Sequence, residues 1–309
     1  ATRHTTAAGC WGCGMPEVAT LPAGSPEWVE QRRFLVGGSE VASVLGISPW
    51  ESPFSLWHRK AGALEHQDLT GSAPVYWGTV LEPVVRDEWL LRHADTHGCP
   101  ELGVTVAEGP GIVSPDAVVR RADGPREVLE VKTAAYPDGW GPTGGDQIPI
   151  HYRCQLQWYL GILGLTTGHV AVLIGGNDFR EYVIPFDPDD YALMLDAATV
   201  FVASLEAGER PGLDSAQATQ DAVRKLHPDI DRGNHVDLDA ALADALVTSK
   251  RDLDAAKAAH RYYSTQVLDA MGDAQHARHP DGHRVAYRAA RDGGTPYLVI
   301  DRNATKEHP

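Results

Sequence analysis

Residues 112–132 read Ile112-Val-Ser-Pro-Asp116-Ala-Val-Val-Arg-Arg-Ala-Asp-Gly124-Pro-Arg-Glu-Val-Leu-Glu130-Val-Lys132. The pattern predicts two strands joined by a turn at Asp123-Gly124-Pro125. Asp116 closes a Ser-Pro-Asp triplet on the first strand. Glu130 and Lys132 lie in the second. Side chains alternate along a strand, so Glu130 and Lys132 share one face while Leu129 and Val131 share the other. Two acids and a lysine on one concave face are what metal-assisted phosphodiester hydrolysis needs: carboxylates hold a hard divalent cation, and an ammonium group orients water or balances charge. The plainer alternative is a surface hairpin with a Glu–Lys pair. Glu-x-Lys is common, so the surrounding chain has to decide.

Downstream, residues 134–148 form a Gly/Pro-rich loop beside the acids, a place where function often sits. Residues 149–163 are predicted as a helix with Tyr152, Leu156, Tyr159, Leu160 and Leu163 as its apolar stripe. Gln155 and Gln157 lie about 200° apart on that helix, so only one can face a given site. Strands at 168–174 and 180–186 make a hairpin across Gly175-Gly176-Asn177-Asp178. A helix at 188–207 stops at Gly208.

Upstream, Ser25 and Pro26 open a short helix over 26–34. Gly37-Gly38-Ser39-Glu40 follows, with Ser39 read as the N-cap of a helix that Gly46 ends. Two glycines before a helix allow a phosphate to approach the backbone, although a tight turn explains them as well. Ser52-Pro53 opens another helix that stops at Gly62. A longer helix over 75–93 has Trp77, Val80, Leu81, Val84, Val85 and Trp89 as its stripe, with Glu82 off it and Pro83 next. Strands are predicted near 102–107, 111–119 and 127–133. Helices and strands interspersed along the chain make an α/β (α+β) fold.

Three segments lie outside this core. Residues 1–25 read as a loose arm. Its Cys10-Trp11-Gly12-Cys13 lacks the second cysteine pair that a zinc or iron–sulfur site needs. Residues 209–237 read as a polar linker. Residues 238–309 read as a helical arm, partly heptad-like from Leu238 to Met271, and a terminal hairpin. Its His276, Arg278, His279, His283, Arg284, Arg288 and Arg291 form the most basic region, suited to nucleic acid or to a solvated face.

The 309 residues carry a net charge of −15, against a surface coated for non-specific nucleic-acid binding but compatible with a local basic groove. Four cysteines do not make a disulfide scaffold. There is no long apolar run to span a membrane and no signal-peptide core, so a reducing cytoplasm is the expected setting.

Taken in order, the motifs resemble the YqaJ-type viral recombinases, which belong with phage lambda exonuclease in the PD-(D/E)xK nuclease superfamily. They are Trp28-x3-Arg32 leading to Gly-Gly-Ser39-Glu40 and Leu45-Gly-Ile-Ser-Pro; Trp77-Gly78-x3-Glu82; Ser114-Pro115-Asp116; Leu129-Glu130-Val131-Lys132; and Tyr152-x2-Gln155-x-Gln157. The resemblance covers residues 26–205, with a nuclease domain over 26–208. It implies that Asp116, Glu130 and the backbone carbonyl of Val131 ligate Mg²⁺ or Mn²⁺, that Glu82 serves a second metal or its water, and that Lys132 handles the attacking water. It implies a 5′-phosphate pocket at Arg32, Ser39, Ser114 and Gln157, with Gln155 as a secondary candidate. The implied activity is 5′→3′ digestion of double-stranded DNA ends. That activity leaves 3′ overhangs for a single-strand annealing partner, and the implied assembly is a homo-oligomer, a trimer in the lambda enzyme. An endonuclease or single-strand nuclease with the same site, or a non-catalytic DNA-end scaffold, are the alternatives.

Overall fold

A computed structural model describes residues 18–22, 24–66, 69, 71–122, 124–301 and 304. Cys10 and Cys13, most of the N-terminal arm, and Asp123 of the expected turn lie outside the described residues. The chain divides into two compact units, one ending at Ile230 and the other starting at Asp231.

The first unit opens with α1 (Pro26–Gln31), whose N-cap Ser25 accepts from the Trp28 N–H. Next come β1 (Val36–Gly37), α2 (Gly38–Val44), α3 (Pro53–Lys60) and α4 (Ala73–Arg92). The cap of α2 differs from the sequence reading. Gly37 is the N-cap, because the Glu40 carboxylate reaches back to accept its N–H at 2.8 Å. Ser39 therefore sits inside the first turn and is exposed. Gly38 is required for packing: a Cβ there would stand 2.3 Å from the Tyr159 ring. α4 runs unbroken through Pro83. Of its predicted stripe only Val85 and Trp89 are buried, while Trp77, Val80 and Val84 face solvent.

β2 (Val106–Glu108) and β3 (Gly111–Val113) join β1 in a small sheet of order β1-β3-β2. The predicted strand 111–119 is split at Ser114-Pro115-Asp116. Pro115 has no N–H for a ladder, and the chain passes there into β4 (Ala117–Arg120) of a second sheet. β5 (Arg126–Ala134), α5 (Ile150–Leu163), β6 (Thr167–Ile174) and β7 (Asp178–Pro185) complete that sheet in the order β4-β5-β6-β7. Only the β5–β6 pair is parallel, bridged by α5, as a βαβ crossover demands. Gly175 and Gly176 turn the β6–β7 hairpin with φ of 59° and 81°, a conformation other residues resist.

α6 (Pro188–Ala207) is N-capped by Asp187 and stopped by Gly208. The sheet is thus a filling between helices. Val128, Val170, Val172 and Tyr182 pack with α5 and α6; Leu129, Val131 and Ala171 pack with Val85 and Trp89 of α4. Burial on both faces explains the continuous apolar run of β6 from Val170 to Ile174.

The segment read as a linker contributes a further helix, α7 (Gln217–Leu226). It packs on α3, with Thr219 and Ala222 buried and the Thr219 hydroxyl 2.6 Å from Ser52 Oγ. Two buried residues in a polar ten-residue stretch are too faint a periodic signal to stand out in the sequence.

The second unit contains α8 (Ala240–Met271) and a three-stranded meander, β8 (His276–Arg278), β9 (Arg284–Ala289) and β10 (Tyr297–Ile300). Within α8 only Met271 is buried, so the heptad-like Leu242, Leu246, Leu253 and Tyr263 are exposed. Among the described residues no helix is long and apolar enough to cross a membrane.

Candidate active site

Asp116 leaves the sheet junction with its carboxylate turned onto β5, where Oδ2 accepts the Val131 N–H at 2.7 Å. That bond fixes the Ser-Pro-Asp corner against the strand carrying the other acid. Glu130 points to the α5 face and is 2 % exposed. Its Oε1 accepts from Lys132 Nζ at 2.5 Å and from Gln155 Nε2 at 2.6 Å. Lys132 Nζ also lies 5.0 Å from the centre of the Tyr152 ring. The alternation read from the sequence pairs Glu130 with Lys132, and the Val131 N–H brings Asp116 beside them.

Burial, then the Asp116 charge, pushes the Glu130 carboxyl up to about 8, with Lys132 pulling the other way. Burial also raises Asp116, opposed by Lys132, the Val131 N–H and Arg86. Glu82 is raised by burial and then by Asp116, which places it in the same electrostatic cluster. Burial would lower the Lys132 ammonium, but Glu130 and Asp116 override it and hold it protonated. Arg86, one turn beyond Glu82 on α4, adds a positive charge that favours both Asp116 and Glu82 as carboxylates. Arg86 escaped the sequence reading, although its i,i+4 spacing from Glu82 could have marked it.

The donor set fits a hard divalent cation, which takes carboxylate and carbonyl oxygens. One observation tests the fit: Glu130 Oε2 is buried without a hydrogen-bond partner among the described residues. Buried carboxylate oxygens are seldom left so. Asp116 and Glu130 would hold such a cation, which would satisfy that atom and favour the ionised carboxyls.

Arg32 and Ser114 meet as expected, Nη2 donating to Oγ at 3.0 Å. Thr105 Oγ1 lies 3.1 Å from the same hydroxyl. The guanidinium lies 4.6 Å over the Trp28 ring, and its Nε is buried without a partner among the described residues. Behind it, Glu40 joins Arg59 at 3.0 Å and Lys60 at 2.8 Å. Burial alone would raise Glu40, but those two cations and the Gly37 N–H hold it at about 2.

Gln157 is a correction. It is fully buried away from the acids, donating to Pro185 O at 2.8 Å and accepting from Asp187 N at 2.8 Å. Both ends of its amide are spent on the β7–α6 junction. Gln155 is the member of the pair that faces the site, bonded to Glu130 and also donating to Tyr159 Oη at 2.9 Å. Gln157→Ala is accordingly expected to cost about 1–3 kcal/mol by leaving two backbone groups unpaired, with turnover per folded molecule unchanged. Urea unfolding and an activity assay on the same sample check both halves.

The 134–148 loop is pinned. Trp140 is buried and stacks on Tyr152 at 5.6 Å, and the Gly141 carbonyl accepts from Tyr182 Oη and Arg180 Nη1. Trp50, exposed, lies edge-on to His151 at 4.7 Å near Tyr152. In the second unit much of the basic charge is locally spent: Arg284 pairs with Asp301 at 2.7 Å, and Asp281 lies between His279 and His283.

Residues 27–169 match the family model described as the YqaJ-like viral recombinase domain. The chain is similar to protein YqaJ of Bacillus subtilis (strain 168), 28 % identical over 271 residues, covering 81 % of this chain and 79 % of that one. Among solved structures it is similar to the alkaline exonuclease LHK-Exo of Laribacter hongkongensis, at 20 % identity and a TM-score of 0.45, covering 60 % of this chain and 94 % of the other. The complex of LHK-Exo with dAMP gives 19 % and 0.46 over the same shares.

Proposed function

We propose that the protein is a divalent-metal-dependent deoxyribonuclease that digests double-stranded DNA ends in the 5′→3′ direction. The observation that carries this reading is the Asp116–Glu130–Lys132 cluster, with Glu130 buried, the other two half-buried, and Glu130 Oε2 unpartnered among the described residues. Asp116, Glu130 and the Val131 carbonyl would hold Mg²⁺ or Mn²⁺, with Glu82 beside them. A cation there supplies Lewis-acid polarisation of the scissile phosphate. Gln155 and Lys132 clamp Glu130 Oε1 from two sides and leave Oε2 free to ligate. Lys132, held protonated, hydrogen-bonds and orients water and offsets negative charge on the phosphate. Asp116 is kept in place by the Val131 N–H.

Direction and end preference rest on Arg32 and Ser114, a guanidinium and a hydroxyl suited to a terminal phosphate. Ser39 is exposed on the first turn of α2 and joins them in this reading; Gln157 does not. The product, a 3′ overhang, is the substrate of a single-strand annealing protein, the partner that the family resemblance implies. Assembly as a homo-oligomer is supported by Tyr76, Trp77, Val80 and Val84 of α4, apolar and exposed among the described residues, and a trimer is the number that the family resemblance implies. A bacterial cytoplasm is the proposed setting.

The test is a linear duplex with one 5′-phosphorylated and one 5′-hydroxyl end, incubated with Mg²⁺ and with EDTA. Metal-dependent loss of the strand bearing the phosphate is expected. Equal cutting of closed circles would replace the exonuclease by an endonuclease. Digestion blind to the phosphate would remove the Arg32/Ser114 pocket. Binding of ends without cleavage under any divalent metal would leave a scaffold.

A further inference from the structure

On the other face of β5 from Glu130, three residues earlier, Glu127 meets two imidazoles. Its Oε2 lies 3.0 Å from His97 Nε2 and 2.7 Å from His169 Nε2. The three side chains are all at least nine-tenths buried. His97 comes from the turn after α4, Glu127 from β5 and His169 from β6, where it stands opposite Leu129. Their ligand atoms all lie within 4.8 Å of one another. Two imidazole nitrogens and one carboxylate are a familiar donor set for a borderline divalent ion.

Proton positions separate a metal site from a hydrogen-bonded triad. The Thr96 hydroxyl has one hydrogen and donates it to the His93 carbonyl at 3.1 Å. In that arrangement it accepts from His97 Nδ1, 3.0 Å away. With that bond the Nδ1–H tautomer of His97 would turn the bare lone pair of Nε2 toward the Glu127 carboxylate. Lone pair against carboxylate is repulsive, and a cation between them removes the conflict. The same Nδ1–H to hydroxyl bond is the outer support that ligating histidines generally have. Trp89 packs on both rings, at 4.9 Å from His97 and 5.0 Å from His169, and fixes their planes. On the open side Glu127 lines a surface cleft with Asp95, Thr96 and Arg121, which supplies an entry path and room for a water ligand.

We propose that His97, Glu127 and His169 form a second metal site, selective for Zn²⁺ or a similar transition ion. It is separate from the all-oxygen Asp116/Glu130 site and staples the end of α4 to the sheet. The two sites lie on opposite faces of β5. The nitrogen-rich set favours Zn²⁺, Co²⁺ or Ni²⁺, whereas Mg²⁺ favours the oxygens. A staple at the end of α4 steadies the helix that presents Glu82.

The test uses the full chain, stripped with chelator, then loaded with Zn²⁺ or Co²⁺ in millimolar Mg²⁺ to occupy the oxygen site. Metal retained after gel filtration, Co²⁺ visible absorption and the thermal midpoint are the readouts. One tightly held equivalent is expected, with a higher midpoint. Thr96→Val should weaken retention about tenfold, and His97→Gln or Glu127→Gln by about 100-fold or more. Asp116→Asn and the double variant His279→Gln/His283→Gln should retain the ion. Loss in Asp116→Asn or in the 279/283 variant, or full retention in His97→Gln, would overturn the site. So would a wild-type chain that keeps no transition metal, which decides the matter even where a ligand variant folds poorly.

Discussion

Asp116→Asn and Lys132→Ala are each expected to lower metal-dependent cleavage of duplex ends by about 1,000-fold or more, because each removes a charge that acts at the reacting phosphate. The two losses should differ in kind. Asp116→Asn removes a metal ligand, so raising Mg²⁺ or Mn²⁺ should recover part of the rate if binding is what fails. Lys132→Ala leaves the oxygen donors intact and should not respond to added metal. Its side chain is the partner of Glu130 Oε1 at 2.5 Å, but Gln155 still holds that oxygen, so the fold should survive. Gln157→Ala, two residues from Gln155 yet on the other face, is the matched control. Circular dichroism and initial rates on one preparation are enough. A wild-type rate from Asp116→Asn or Lys132→Ala would sink hydrolysis at this site.

The second large effect concerns pH. In metal-free protein the Glu130 carboxyl is raised from 4.5 to about 8. Between these values the folded chain holds a proton that the unfolded chain has lost. The stabilising contribution of the protonated group is therefore complete below about 4.5 and disappears as pH rises through about 8. Asp116 and Glu82 are shifted in the same direction and add to the slope. A divalent cation competes with that proton, so metal affinity and cleavage should both climb toward alkaline pH. Glu130→Gln mimics the protonated form. Its metal-free thermal midpoint should fall less with rising pH than that of the wild type, exceed it near pH 8 and gain little from Mg²⁺, with cleavage abolished. Midpoints measured across the window, in EDTA and in Mg²⁺, check this; parallel curves for the two proteins would refute it.

The β5 side of the site was legible because strand alternation is a two-residue rule that needs no tertiary knowledge. Ser25, Ser52 and Asp187 behave in the same local way as helix caps. What sequence could not decide depends on packing. The helical angle between Gln155 and Gln157 shows that they diverge, but which one faces the acids depends on how α5 lies on the sheet. The exposed stripe of α4 has the periodicity of a buried one. The division of 111–119 turns on Pro115, a residue whose effect depends on which sheets are available on each side. α7 hides in polar sequence because its buried face is only Thr219 and Ala222. His97, Glu127 and His169 are separated by 30 and 42 residues, and only the β5–β6 register and the end of α4 bring them together.

The corner at Ser114-Pro115-Asp116 has a metric consequence. Ser114 contacts the guanidinium proposed to grip a terminal phosphate, and Asp116 would hold the proposed cation at the bond to be cut. Only Pro115 separates them, its φ locked by the ring. Two residues of chain span at most about 7 Å, the scale of one sugar–phosphate unit. On the proposed reading the triplet is a gauge block set to a single nucleotide. Such a gauge makes the mononucleotide the unit of product, and lengthening it by a residue would change the size of the fragment released before it changed the chemistry.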